Sequence, residues 1–259
     1  MAMPNIFDLT GRAAIVTGAA GGLGAAFSWV LARAGASVIC ADFDADKAHH
    51  LSEELNAAGL HASSAHLDVT DEASVAKMTD AALTQHARID ILVNNAGIGD
   101  LRAVPLHRVK PDHWRRVLAV DLDGVFLCSR AILGHMAANR YGKVINVASM
   151  YGLHGSKGTP MPAYTAAKAA VVNLTRECAL QYATHNIQIN ALCPGFVRTG
   201  LAGGVYDDPS FVAALKAQVP MGRIAEAHEF SGAILMLASH ASDYMTGQTL
   251  VLDGGVSAG

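Results

Sequence analysis

The chain has 259 residues, 51% of them hydrophobic and 16% charged, with a formal net charge of −3. That length and apolar content suit one large domain or two small ones with a full α/β core, and exclude a disordered chain. The small negative charge, with no basic run, argues against nucleic acid as a partner. No apolar run approaches the roughly 18 residues of a membrane span.

In chain order, "AAIVT" at 13–17 reads as a strand and 22–34 as a helix. A second strand at 37–41 precedes a helix that closes at Gly59, a residue suited to the left-handed turn beyond a helix end. "HASSAHLDV" carries a third strand, and Asp71 and Glu72 suit the N-terminus of a third helix. "IDILVNNAG" is a fourth strand entering a turn, followed by one long helical span from Pro111 to Arg140. Then come a strand in "KVINVAS", a helix at about 162–184, a strand in "IQINALCPG", a late helix and a last strand in "QTLVLDGG". Alternating apolar strands and helices predict a single-domain α/β chain with a doubly wound parallel sheet covered on both faces. The glycines and prolines of 198–222 predict an irregular segment with a short helix inside it.

The N-terminal "MAMPNIFDLTG" lacks the basic and apolar segments of a secretory leader, which makes the cytoplasm the expected location. Cys40, Cys128, Cys178 and Cys193 are far apart with no CxxC, and read as small buried hydrophobes in a reducing compartment. Twelve scattered histidines without HExxH or paired Cys/His spacing predict no metal site.

The first strand runs into "TGAAGGLG". Gly18, Gly22 and Gly24 leave room for backbone N–H groups and a helix N-terminus to approach a pyrophosphate, although a purely structural tight turn has the same composition. Asp42 follows Gly24 by 18 residues at the end of the second strand, where a carboxylate accepts ribose hydroxyls. It would also repel a 2′-phosphate, and neither Phe43 nor the glycine turn supplies an offsetting cation, so NAD is the expected cofactor. A helix N-cap is the other reading of Asp42. Further on, "YTAAK" sets Tyr164 and Lys168 four residues apart on one helix face. Alone, the pair reads as an ordinary surface pair or as a phenol whose pKa an ammonium lowers toward neutrality.

Together the glycine turn, "NNAG" at 94–97 and "YTAAK" resemble the short-chain dehydrogenase/reductase family across essentially the whole chain. "LDV" at 67–69, "INVAS" at 145–149, "PGFVRT" at 194–199 and "TGQTLVLDGG" at 246–255 match in order. The resemblance implies a seven-stranded Rossmann sheet in a homotetramer or homodimer. It assigns proton transfer to Tyr164, a hydrogen bond on the reacting oxygen to Ser149, and to Lys168 both the nicotinamide ribose and a lowered Tyr164 pKa. It also places Gly18, Gly22, Leu23, Gly24, Asp42 and Phe43 on the dinucleotide. Asp68 and Val69 fall at the adenine, Asn95, Ala96 and Gly97 along the ribose and cofactor backbone, and Pro194, Gly195, Val197 and Thr199 near the carboxamide.

The chain departs from the family pattern twice. Ser149 and Tyr164 are 15 residues apart rather than the commoner 13, and Asp121 stands where relatives usually carry an Asn that holds a water linked to the Lys. Asp121 is nevertheless a candidate catalytic residue. "FDLTGR", "ATHNIQINALCPG" and "ASDYMTGQ" are similar to the gluconate 5-dehydrogenase-like branch, which implies a sugar acid or other hydroxy acid as small-molecule substrate. His154, Lys157 and Arg102 are candidates to meet its carboxylate, or are solvated loop residues. A 3-oxoacyl thioester, a cyclic alcohol and a non-catalytic dinucleotide-sensing role remain as alternatives. A substrate lid is expected at 200–222.

Overall fold

The computed structural model describes residues 5–100, 103–156, 158–199 and 208–258. Seven strands, β1 (Ala13–Thr17), β2 (Ser37–Asp42), β3 (Ala62–His66), β4 (Ile91–Asn94), β5 (Gly142–Val147), β6 (Ile187–Pro194) and β7 (Thr249–Leu252), form one sheet in the order β3-β2-β1-β4-β5-β6-β7. Every pairing is parallel. The order reverses between β1 and β4, and the crevice beyond the carboxyl ends of strands at such a switch point is where open α/β sheets bind ligands.

Strand side chains alternate between two cores with period two. Ala14, Val16, Val38, Cys40, Ile91 and Val93 join Phe27, Leu31 and Ile234 on one face. Ile15, Ile39, Leu92 and Val144 join Met78, Ile132 and Met136 on the other. The first core is covered by α1 (Gly22–Arg33), α2 (Ala45–Ala57) and α8 (Ser231–Ala238), the second chiefly by α3 (Glu72–His86) and α5 (Gly124–Asn139). Each Val, Leu, Ile, Phe or Met among them removed from water contributes about 1.5–3 kcal/mol, and this burial specifies strand register. All four cysteines are free, and burial pushes the Cys40 and Cys193 thiols up to about 11 and Cys128 to about 12.

The span from Pro111 to Arg140 is not one regular helix. It divides into α4 (Pro111–Leu118), a π-helical turn (Ala119–Asp123) and α5. The widened turn carries Asp121, and such turns are frequent at functional sites. The long α6 (Pro162–Tyr182) follows β5, and α7 (Pro209–Lys216) is the short helix expected in the irregular segment. Of the expected lid, residues 200–207 lie outside the described residues. The rest holds α7, capped by the Asp208 carboxylate, and a turn in which the Met221 N–H donates to Gly254 O at 3.1 Å. Among the described residues no helix is long and apolar enough to cross a membrane, and no group of three or more His, Cys, Asp or Glu is placed to hold a metal ion.

Candidate active site

The glycine turn closes because two of its positions exclude any side chain. Gly18 adopts φ +63°, and a Cβ there would lie 2.8 Å from Ala96 Cα. At Gly24 it would lie 2.0 Å from Gly18 O. Asn95, just past β4, holds the turn from the side: its Nδ2 donates to Thr17 O and Gly18 O, both at 2.9 Å. Thr17 Oγ1 in turn accepts the N–H groups of Asn95 and Ala96 at 3.0 Å. Both amide hydrogens of Asn95 are thus committed to building the turn. The first turn of α1 has Gly21 as N-cap and no capping side chain. Its N–H groups and the positive end of the helix dipole therefore face the crevice, as an anion cradle requires.

Asp42 is tied to this turn, its Oδ2 accepting the Ala20 N–H at 2.8 Å and its Oδ1 the Asp44 N–H at 3.0 Å. Asp44, not Asp42, caps α2. Each Asp42 oxygen keeps lone-pair capacity for a further donor. Phe43 is 70% exposed beside His66, their ring centres 5.8 Å apart. Asp68 Oδ1 closes a turn by accepting the Thr70 N–H and hydroxyl, and Val69 is buried against Gly124.

On the other side of the switch point, Ser149 stands two residues beyond the end of β5, and its Oγ accepts the Tyr151 N–H at 3.1 Å. That bond fixes the hydroxyl's direction and leaves its hydrogen free to donate. From α6, the buried Lys168 Nζ donates to Val147 O at 3.0 Å and lies 5.7 Å from the centre of the Tyr164 ring. Asp121, fully buried, accepts the Ile98 N–H at 2.7 Å through Oδ1 and faces Lys168 Nζ at 3.5 Å through Oδ2. Oδ2 has no hydrogen-bond partner. Burial raises the Asp121 pKa above its ordinary value, against the lowering influence of Lys168 and of the Ile98 N–H. A Cβ on Gly97 would be 3.3 Å from Lys168 Nζ, so the "NNAG" loop lies directly over this pair.

The expectation that Lys168 would bring the Tyr164 phenol toward neutrality requires correction. Tyr164 as a residue is only partly buried, but crowding around its hydroxyl is the largest influence and pushes its pKa up. Lys168 and a hydrogen bond from Ser149 lower it, and Asp121 raises it further. Burial wins, and the phenol is held as the neutral acid.

Pro194 ends β6, and Gly195 donates to Leu252 O at 2.9 Å. Val197 is buried and bridges to Ala225, and the Thr199 side chain approaches the glycine turn, 3.0 Å from where a Gly22 Cβ would sit. Leu23 packs on the first core and Ala96 on the second. His154 lies edge-on to Tyr151 with Nδ1 at 3.0 Å from Gly155 O, and its Nε2 is buried without a partner. Arg102 and Lys157 lie outside the described residues.

Two site residues escaped the sequence reading. Asp100, its side chain 1% exposed, accepts the Tyr164 backbone N–H at 3.2 Å through Oδ2. Its Oδ1 sits 2.6 Å from His113 Nε2. The available signal was a missing one: α6 begins at Pro162 after Met161, which offers no capping side chain.

The chain matches the family described as Enoyl-(Acyl carrier protein) reductase over residues 18–257. It is 42% identical over 247 residues to cis-4-hydroxycyclohexanecarboxylate dehydrogenase of Sinomonas cyclohexanicum, covering 95% of this chain and 97% of that protein. It is 35% identical to gluconate 5-dehydrogenase of Gluconobacter oxydans, covering 99% of both. The crystal structure of a gluconate 5-dehydrogenase from Burkholderia cenocepacia in complex with NADP and tartrate superposes with a TM-score of 0.93 at 38% identity, over 98% of each chain.

Proposed function

The chain belongs to the short-chain dehydrogenase/reductase family, and from that premise we propose that it interconverts a hydroxy acid and the corresponding keto acid with NAD(H). It is a dinucleotide-dependent oxidoreductase acting on a CH–OH group. The observation that carries the catalytic reading is the convergence of Ser149, Tyr164 and Lys168, from the turn after β5 and from α6, beside an uncapped glycine turn at the switch point. The cradle that Gly18 and Gly24 keep clear, and the acceptor capacity left on Asp42, fit a nicotinamide dinucleotide. When bound, that cofactor supplies hydride exchange at its nicotinamide ring.

In the reduction direction, the neutral Tyr164 phenol donates its proton to the developing alkoxide, and Ser149 holds the same oxygen by a hydrogen bond. Lys168 keeps a positive charge beside the phenol, stabilising the phenolate left behind. Oxidation runs the same proton in reverse.

For cofactor choice, the Asp42 carboxylate supports NAD(H), since it repels a 2′-phosphate and the glycine turn carries no cation. The relative with bound NADP makes this preference the first thing to measure. For the substrate, the named substrates of the two enzyme relatives, and the tartrate present with NADP in the complex of the third, all carry both a hydroxyl and a carboxylate. His154 supports the same class. With Nδ1 turned to Gly155 O, its buried Nε2 is left without a partner and can pair with a polar group of the substrate. We assign residues 208–222 to a cover over the substrate, and the assembly to a homotetramer or homodimer. Purified protein with NAD⁺ and a panel of cyclic hydroxy acids, aldonic acids and simple secondary alcohols, followed at the NADH absorbance, tests the reading. Turnover of hydroxy acids is the expected result, and turnover confined to uncharged alcohols refutes the substrate class.

A further inference from the structure

We infer that Asp100, locked by His113, is a positioning residue for Tyr164, resting on the proton-transfer role given to that tyrosine above. The helix that carries Tyr164 and Lys168 starts without a side-chain cap of its own: Met161 makes no capping side-chain hydrogen bond and Pro162 has no N–H. Tyr164 is the third residue of that helix, and its N–H is one of the donors a helix start leaves unpaired. The acceptor comes instead from 64 positions earlier in the chain, in the loop after β4, where Asp100 Oδ2 takes the Tyr164 N–H at 3.2 Å. A negative carboxylate at a helix N-terminus is favoured by the helix dipole as well as by the hydrogen bond.

Asp100 is itself held. A carboxylate only accepts, so His113 Nε2, 2.6 Å from Oδ1, carries the hydrogen of that bond. His113 comes from α4, whose Val117 packs with Ala163 and Ala167 of α6, with Ile98 and Tyr164 against the same cluster. The loop holding Asp100 is pinned a second time where the Ile98 N–H meets Asp121. The two aspartates thus tie one short loop to both working residues of α6: Asp121 reaches the Lys168 ammonium, and Asp100 the Tyr164 backbone. Asp100 Oδ2 bonds the Tyr164 backbone, so its part is to set where the phenol stands.

The test compares Asp100→Leu, Asp100→Asn, His113→Leu and His113→Gln with wild type and Tyr164→Phe in the intact protein. Dinucleotide Kd, substrate KM, kcat and Tm are measured for each. Asp100→Leu and His113→Leu should lower kcat by ~10- to 100-fold, the scale expected for a catalytic group misplaced by about 1 Å, with dinucleotide Kd within a factor of two of wild type. Asp100→Asn keeps an acceptor for the Tyr164 N–H and His113→Gln keeps a donor for Asp100, so both should recover most of kcat. Wild-type kcat in both leucine variants, with Tyr164→Phe inactive, overturns the positioning role alone. So does a loss spread equally over kcat, dinucleotide affinity and Tm, which is the mark of general loosening. Full turnover in Tyr164→Phe overturns the proton-transfer reading and the inference with it.

Discussion

Replacing Gly24 by alanine puts the glycine turn to a quantitative test. The added Cβ would lie 2.0 Å from Gly18 O and 2.7 Å from Asn95 Nδ2. Carbon normally stays about 3.3 Å or more from a carbonyl oxygen, so a shift of more than ~1 Å is needed. The oxygen belongs to backbone, in a residue held at φ +63° and itself pressed on Ala96, so no flexible side chain can absorb the shift. Forced overpacking of this kind costs ~1–3 kcal/mol. The Asn95–Gly18 hydrogen bond that must break adds about 1 kcal/mol. The expected destabilisation of ~2–4 kcal/mol lowers Tm by roughly 5–15 °C in a chain of this size. The turn that would hold the pyrophosphate is displaced as well, so dinucleotide Kd should rise by at least ~10-fold, or 1.4 kcal/mol. Circular dichroism melts and dinucleotide titration read the two effects. Gly21→Ala is the control, because its extended backbone (φ −169°) suits any residue and nothing lies within 4 Å of the added carbon. Its stability should stay within ~0.5 kcal/mol of wild type. Wild-type Tm and affinity in Gly24→Ala would refute the packing argument.

Three further outcomes are expected. Wild type should show higher kcat/KM with NAD(H) than with NADP(H), and Asp42→Ala should narrow the gap; equal or better efficiency with NADP(H) in the wild type overturns the cofactor assignment. Because Asp121 raises the Tyr164 pKa, Asp121→Asn should lower it while Lys168 keeps Val147 O as a partner. The rise of oxidation activity with pH then moves to lower pH, and a move to higher pH contradicts the electrostatics. Amide hydrogen exchange across 208–222 should slow when dinucleotide and substrate bind together, and unchanged protection there while the core responds rejects the cover.

The sheet was legible because burial on both faces leaves a strong trace: "AAIVT", "SVICA" and "IDILV" are short apolar runs that tolerate no other placement. The glycine turn was legible for a similar reason, since only glycine meets the contacts at positions 18 and 24. The π-helical turn was not, because 111–140 keeps an unbroken helical pattern with no proline or glycine at 119–123 to announce a change. Nor were Asp100 and His113. Their meaning depends on a loop meeting a helix start 64 residues away, and local spacing carries no such information.

The net state of Tyr164 was illegible for a deeper reason. Sequence places Lys168 one helical turn from the phenol and so predicts a lowered pKa, the correct sign for that pair taken alone. Folding adds what spacing cannot show: the hydroxyl is crowded by protein, and Asp121 arrives through the widened turn to set a carboxylate 3.5 Å from Lys168. A buried ammonium flanked by a carboxylate offers the phenol less than a free one would, because part of its field is already compensated. The free protein therefore holds Tyr164 as a proton-bearing acid and Lys168 beside it as a charge ready to stabilise the phenolate once the proton has left. That arrangement favours proton delivery to a carbonyl. It also makes oxidation the direction whose rate should depend more steeply on pH, since only there must the phenol first give up its proton.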